Sequence, residues 1–298
     1  MSLPAPGSPS VRRPTVAAVV LSMGTRPDDL PRALESLLAQ RDVELDIVVV
    51  GNGWRPTGLP PQVRAVHLPE NVGIPEGRNI GAAEARGEVI FFYDDDAYLP
   101  STDVLSRLVA VLDGDPRVAA VQPRPVDPTG KPGPARWVPR PGAGDPLRPG
   151  VVTWIWEGTF VIRRAVFEQV GGWPGHFFYG HEGIDLMWKV WDAGYVGWYA
   201  PDVVMNHPAT SPTRHAVYYR NNARNRVWVA LRNLPAPLVP VYLLVWALLT
   251  VARLRSPQKL RAWAAGFREG LAGGHGDRRP ISWRTVLRLT RAGRPPII

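Results

Sequence analysis

The 298-residue chain carries 35 Lys and Arg against 26 Asp and Glu, a formal charge of +9, and no cysteine. The missing cysteines exclude disulfides and thiolate metal sites and fit a reducing compartment, while the length has room for one large domain or two modest ones. The charge excess does not support a nucleic-acid interface: from Arg253 onward there are eleven basic and two acidic residues, and the first 252 residues balance at twenty-four of each, whereas phosphate affinity needs basic residues gathered at the site.

Residues 1–14 are rich in Pro and Ser, lack the apolar core of a secretory signal, and read as a disordered tail. Thr15 to Leu21 is a short apolar, β-branched run, a strand, broken by Ser22-Met23-Gly24-Thr25-Arg26-Pro27. Asp28 or Asp29 caps the helix that follows, with Leu30, Ala33, Leu34, Leu37 and Leu38 on one face. Leu45 to Val50 and Val63 to Leu68 are further strands, and strand–helix–strand at this spacing predicts a parallel α/β sheet. A glycine-bearing loop from Asn71 then opens a helix near Pro75, and Arg78 on it has the reach for a diphosphate.

Val89-Ile90-Phe91-Phe92-Tyr93-Asp94-Asp95-Asp96 is the centre of the pattern: a buried strand delivering three carboxylates to the carboxyl edge of the sheet, where ligands of open α/β sheets bind. Alternation along an extended backbone directs Asp94 and Asp96 one way and Asp95 the other. Two carboxylates on one side suit a hard divalent cation, Mn²⁺ or Mg²⁺, and the bland alternative is an acidic loop after a strand.

Beyond the acids, Ser101 caps a helix carrying Val104, Leu105, Leu108, Val109 and Leu112, and Val118 to Val121 is a strand. From Pro123 to Gly150, 14 of 28 residues are Pro or Gly, which predicts a long irregular loop. Trp154-Ile155-Trp156-Glu157-Gly158 leads into a strand at Thr159 to Ile162, a short helix to Val170 and a turn at Gly171-Gly172-Trp173-Pro174. Phe177 to Leu186 introduces a helix with Glu182 and Asp185 at its N-terminus, where either helix capping or catalysis accounts for acids. Gly194 stops that helix, Val196 to Tyr199 is a strand, and His207 follows as a third ligand for an Asp/Asp/His cation site or as a structural histidine.

Taken in order, Thr25-Arg26, Asn79, Asp94-Asp95-Asp96, Gly171-Gly172-Trp173, Glu182-Gly183-Ile184-Asp185-Leu186 and His207 resemble the family 2 glycosyltransferases of the GT-A fold over roughly residues 15–230. The resemblance implies a Rossmann-like, mostly parallel sheet flanked by helices, a nucleotide-sugar donor held with Mn²⁺ or Mg²⁺, and inversion at the anomeric carbon. Carried over by position, Asp94, Asp96 and His207 ligate the metal. Thr25, Arg26, Asn52, Arg78, Asn79 and Asp95 face the donor, and Trp156 and His181 the acceptor. Glu182 is the expected general base and Asp185 the reserve candidate, because Gly183 stands where many members have a second acid. Many members also carry an Asp after the second strand that reads the nucleobase. This chain has Gly51-Asn52-Gly53 there, so the resemblance leaves UDP, TDP and GDP open, with Asn52 as a substitute hydrogen-bonding partner.

Arg214 to Leu231 has a helical pattern. Ala236 to Ala252 is a 17-residue run without charge, interrupted near its start by Pro237 and Pro240, which favours an interfacial or buried helix over a bilayer span. Leu260, Trp263, Phe267 and Leu271, then Trp283, Val286 and Leu287, alternate with arginines, the pattern of helices on anionic membrane surfaces. Packing on the catalytic domain or in a homodimer is the alternative. The expected organisation is a tail (1–14), a catalytic domain (15–230) and a helical basic extension (231–298). The expected setting is the cytoplasmic face of a membrane, with a glycan or lipid-linked acceptor. A sugar-nucleotide pyrophosphorylase competes but wants a better glycine-rich basic loop than Ser22 to Arg26; a phosphate-accepting receiver domain wants acids after the first strand and a shorter chain.

Overall fold

The computed structural model describes residues 13–139, 145–209 and 216–297. Most of the expected N-terminal tail, together with Arg214 and His215, lies outside the described residues. Four strands run parallel: β1 (Thr15–Ser22) pairs on one side with β2 (Glu44–Asn52), which pairs with β3 (Val63–Leu68), and on the other with β4 (Val89–Asp94). Helices α1 (Asp29–Leu38) and α2 (Ile74–Glu84) make the crossovers. After α3 (Val104–Gly114), β5 (Val118–Val126) and β8 (Val196–Asn206) form a second parallel pair, while β6 (Gly150–Val152) and β7 (Thr159–Arg163), which leads into the short α4 (Arg164–Gln169), run antiparallel. The sheet is therefore mixed, in the order β3-β2-β1-β4-β7-β5-β8-β6.

Alternation of apolar residues along the central strands builds a core on each face. Val16, Ala18, Val20, Phe91 and Tyr93 pack with the leucines of α1 and α3. Ala17, Val19, Ile90 and Phe92 face the other way, with Phe160, Trp173 and the helix α5 (Glu182–Asp192). Two features of the topology build the site. The reversed strand β7 begins opposite the end of β4, with Tyr93 level with Thr159, so the segment 156–158 arrives beside Asp94. A bridge between Tyr98 and Asn206, with both backbone bonds formed at 3.0 and 2.9 Å, brings the end of β8 to the acidic turn and places His207 there.

The expected strand at Val196 to Tyr199 runs on to Asn206 through a register shift against β5, and the expected loop from Pro123 loses its first residues to β5. A 3-10 turn at Ala135–Trp137 interrupts the rest of that loop. The boundary at residue 230 falls inside α6 (Ala216–Asn233), which is bonded to α5 through Arg232 and Asn233. Then follow α7 (Leu238–Arg253), α8 (Pro257–Leu271) and α9 (Trp283–Arg291). A Cβ at Gly266 would lie 2.0 Å from the Arg220 carbonyl oxygen, so this glycine sets the close approach of α8 to α6. Among the described residues no helix is long and apolar enough to cross a membrane.

Candidate active site

Asp94 ends β4, and Asp95 and Asp96 form the turn that follows. Asp94 Oδ2 and Asp96 Oδ1 lie 3.5 and 3.2 Å from His207 Nε2. Asp95 turns away, accepting hydrogen bonds from Ser22 Oγ at 2.6 Å and Arg26 Nη1 at 2.5 Å. Arg26 also lies 3.3 Å from Asp96, with about half of its side chain exposed at the mouth. Thr25 beside it is exposed.

One ligand atom from each of Asp94, Asp96 and His207 falls within 4.8 Å of the others, a group able to hold a metal ion. The donors fit a hard divalent cation on three counts. Two carboxylates and an imidazole are the ligand types Mn²⁺ accepts. Asp96 Oδ1 is buried and makes no hydrogen bond of acceptable geometry. His207 Nδ1 lies 2.9 Å from the Pro208 carbonyl, which fixes the tautomer that leaves Nε2 free to ligate. Burial opposes charge on His207, but the two aspartates outweigh it and lift its pKa to about 10, so without a cation a proton takes the central place. The edges of Trp137 and Trp156 flank the imidazole at 5.5 and 4.9 Å, and buried Gln122 holds both: its Nε2 donates to the Trp137 carbonyl and its Oε1 accepts from the Trp156 amide.

Glu182 opens α5, 3% exposed, with Oε2 lacking a partner. Burial, then the charge of Glu157, raise its pKa to about 8. Glu157 accepts from the Gly183 amide at 2.9 Å, and burial pushes its own pKa up. A Cβ at residue 183 would lie 2.5 Å from Glu157 Oε1, so the glycine standing in place of a second acid makes room for a carboxylate that comes from the β6–β7 segment instead. The sequence reading missed Glu157 because that segment read as a lead-in to a strand; its one signal was an acid between Trp156 and Gly158. Asn225 of α6 holds the preceding turn, its Nδ2 within 2.8 to 2.9 Å of the carbonyls of Phe177, Tyr179 and Gly180. Phe178 and His181 are left-handed there, at φ 64° and 70°.

Four residues expected at the site have protein partners in the structure. Arg78 is 3% exposed and donates to Asp94 at 2.7 Å, and its charge favours ionisation of Glu157 and Glu182. It is a counter-ion to the acids from within the fold, while its Nε and Nη1 are buried without hydrogen-bond partners. Asn79 donates to the Trp173 carbonyl and accepts from the Trp173 amide, clamping the glycine turn. Asn52 is consumed by Asn71, Gly73 and the Val72 amide, and Gly51 has no space for a side chain because its Cβ would meet the Trp54 carbonyl at 2.0 Å. Neither reads a base in this arrangement. Asp185 is fully buried and accepts from Lys189 at 2.5 Å, Arg232 at 3.0 Å and Asn233 at 2.7 Å, which ties α5 to α6 and removes it as a reserve base. His181, expected on the acceptor side, is half-buried, with Nε2 enclosed and unpartnered.

A family model described as Glycosyl transferase family 2 matches residues 18–171, more than half of the chain. The matched span holds the three aspartates and Glu157 and ends before Glu182 and His207. No curated protein matches. Among solved structures, GalNAc-T7 with UDP, GalNAc and Mn²⁺ aligns at a TM-score of 0.66 and 16% identity, covering 97% of this chain and 59% of that one. The mannosyltransferase PcManGT from Pyrobaculum calidifontis, in complex with GDP-Man and Mn²⁺, aligns at 0.55 and 22%, covering 98% and 83%. Residues 1–349 of S. aureus TarS, in complex with UDP-GlcNAc, align at 0.61 and 13%, covering 93% and 87%.

Proposed function

The chain belongs to glycosyl transferase family 2, and from that premise we propose that it is an inverting transferase that moves a sugar from a nucleotide-sugar donor to a hydroxyl of a glycan or lipid-linked acceptor. Membership sets aside the pyrophosphorylase and receiver-domain readings. The GT-A architecture accords with neighbours solved with UDP or GDP-Man and Mn²⁺, and the Asp94, Asp96 and His207 group is where a cation would sit.

The observation that carries the mechanism is Glu182 Oε2, a buried carboxylate oxygen with no partner, on an element whose neighbour Arg78 also grips Asp94. In its ionised form Glu182 takes the proton of the acceptor hydroxyl as that oxygen bonds to the anomeric carbon and the bond to the donor phosphate breaks, on the opposite face. Glu157 strengthens the base: its nearby charge makes Glu182 hold a proton more tightly. Arg78 keeps the cluster of acids from expelling one another, and Arg26, paired with Asp95 and Asp96 at the mouth, is placed to turn towards the departing diphosphate. A bound Mn²⁺ or Mg²⁺ supplies charge neutralisation of that leaving group. The test is product stereochemistry by proton NMR. An α-linked donor should give a β-linked product from the first turnover; an α-linked product would sink the direct-displacement reading.

The extension supports a peripheral membrane role. Val241, Leu244, Leu248 and Val251 of α7 are 42 to 62% exposed at helical spacing, and Arg253, Arg255, Lys259 and Arg261 follow. Sedimentation with phosphatidylglycerol vesicles should carry the full chain down and lose it when Leu244 and Leu248 become Ser. Equal sedimentation of both would reject the idea.

A further inference from the structure

His207 is held by more than its own strand. Its amide donates to the Val126 carbonyl at the end of β5, at 3.0 Å. Its ring forms a near-equilateral cluster with two indoles: the centroids lie 5.5 Å from Trp137 and 4.9 Å from Trp156, and the indoles are 5.7 Å apart. Both indoles stand close to perpendicular to the imidazole, at 79° and 88°. They come from irregular segments, Trp137 from the 3-10 turn of the Pro- and Gly-rich loop and Trp156 from the approach to β7. Each lies against a glycine. A Cβ at Gly133 would stand 2.5 Å from the Trp137 ring, and one at Gly158 2.2 Å from the Trp156 ring.

The group that joins the two segments is Gln122. It follows four buried apolar residues of β5, Val118 to Val121, and is itself 0% exposed. An amide in such a place is costly unless its donor and its acceptor both find partners. Here they do: Nε2 donates to the Trp137 carbonyl at 2.8 Å, and Oε1 accepts from the Trp156 amide at 2.7 Å. One side chain thereby fixes the backbone of both segments, and with it the two rings against His207. Strand β5 reaches His207 by two routes, through Val126 to its backbone and through Gln122 and the indoles to its ring.

Resting on the reading of Asp94, Asp96 and His207 as a cation site, we propose that Gln122 is a positioning residue for that site: through Trp137 and Trp156 it holds the His207 imidazole where Nε2 faces the two carboxylates. An imidazole turns about two side-chain bonds. The contact of Nδ1 with the Pro208 carbonyl, at 2.9 Å, ties the ring only to the next residue. Two indoles set nearly at right angles to the ring block its rotation by contact, so a cation meets three ligands already in place and loses less affinity to ordering them. The Pro- and Gly-rich loop thereby gains a function, the delivery of Trp137 to the metal ligand.

The probe is Mn²⁺ alone, added to the full chain without donor. Calorimetry gives its affinity, and electron spin-echo modulation by an imidazole nitrogen shows whether His207 is on the bound ion. Gln122→Met keeps an unbranched side chain and loses both hydrogen bonds. It should bind Mn²⁺ about tenfold more weakly, as for other groups that orient metal ligands, and its nitrogen modulation should fall by at least half. Trp137→Leu keeps the carbonyl that Gln122 holds and removes only the ring; it should lose affinity severalfold with reduced modulation, and it stands in if Gln122→Met does not fold. Gly266→Ala, which loosens α8 on α6, should change neither readout, and this separates positioning from a general loss of packing. The proposal is overturned if Gln122→Met and Trp137→Leu both bind Mn²⁺ like wild type, if affinity falls while the nitrogen modulation stays whole, or if Gly266→Ala matches Gln122→Met. Those results leave the cation site standing. Wild type that binds no Mn²⁺, or binds it with no nitrogen modulation, defeats the Asp94, Asp96 and His207 site and the proposal together.

Discussion

Replacing Glu182 by Gln removes the charge of the proposed base and keeps its shape, and the structure sets the size and sign of the response. Burial, followed by the neighbouring Glu157, moves the pKa from 4.5 to about 8. At about 1.4 kcal/mol per pH unit, ionising this group in the fold costs between about 2 and 5 kcal/mol more than in the unfolded chain, the upper figure holding if nothing relaxes. Because the folded value lies above the unfolded one, the contribution of protonated Glu182 is intact below pH 4.5 and is lost progressively up to pH 8. The glutamine variant does not titrate there. Urea unfolding in EDTA, with no cation to lower the pKa of Glu182, should therefore give similar stabilities near pH 5 and a variant more stable by about 2 to 5 kcal/mol above pH 8. Transfer by the variant should fall by about 10² to 10⁴ with donor affinity retained. A stability difference that stays flat from pH 5 to 9, or a variant weaker than wild type at pH 9, would refute the buried-acid reasoning.

Asp185→Ala leaves the Arg232 and Lys189 charges without their carboxylate and should cost about 3 to 5 kcal/mol in denaturant unfolding, while the folded fraction in the cold still binds donor with Mn²⁺; loss of donor binding with normal stability would return Asp185 to the active site. Gly266→Ala should destabilise by about 1 to 3 kcal/mol, because its Cβ would meet the Arg220 carbonyl; a gain of about 1 kcal/mol, the ordinary helix preference for Ala, would mean that α8 does not pack on α6. Asn225→Ala removes the amide that three carbonyls of the turn before Glu182 share, Phe177 keeping its bond from Arg224, and should lower kcat at least tenfold with donor Kd unchanged; equal kcat would show that the turn holds itself.

The strands were legible because apolar, β-branched runs bounded by turn residues leave few alternatives, and Val89 to Asp96 announced both the sheet edge and its chemistry. His207 and Glu182 came from the resemblance more than from their own surroundings. The illegible parts share a cause: they depend on residues far apart in sequence. Asp185 has the same spacing as a catalytic pair, and only α6, 47 and 48 residues on, makes it structural. Asn52 and Asn79 look like ligand contacts until their amides are seen to be consumed by loops at Asn71 and Trp173. Glu157 needed β7 to run backwards beside β4. The basic, amphipathic tail pointed outward, yet Thr285 and Leu289 of α9 are buried and Arg288 donates to the carbonyl oxygens of Trp191 and Gly194, so part of its charge serves packing.

The central claim, a nucleotide-sugar site built on Asp94, Asp96 and His207, is tested most directly by calorimetric titration of UDP-, TDP- and GDP-sugars into the full chain with Mn²⁺ and with EDTA. At least one donor should bind with Mn²⁺ and lose at least tenfold in affinity in EDTA, and Asp96→Asn and His207→Ala should each erase that difference. A donor that binds wild type equally well with and without the cation, or a cation effect that survives both substitutions, would contradict the account.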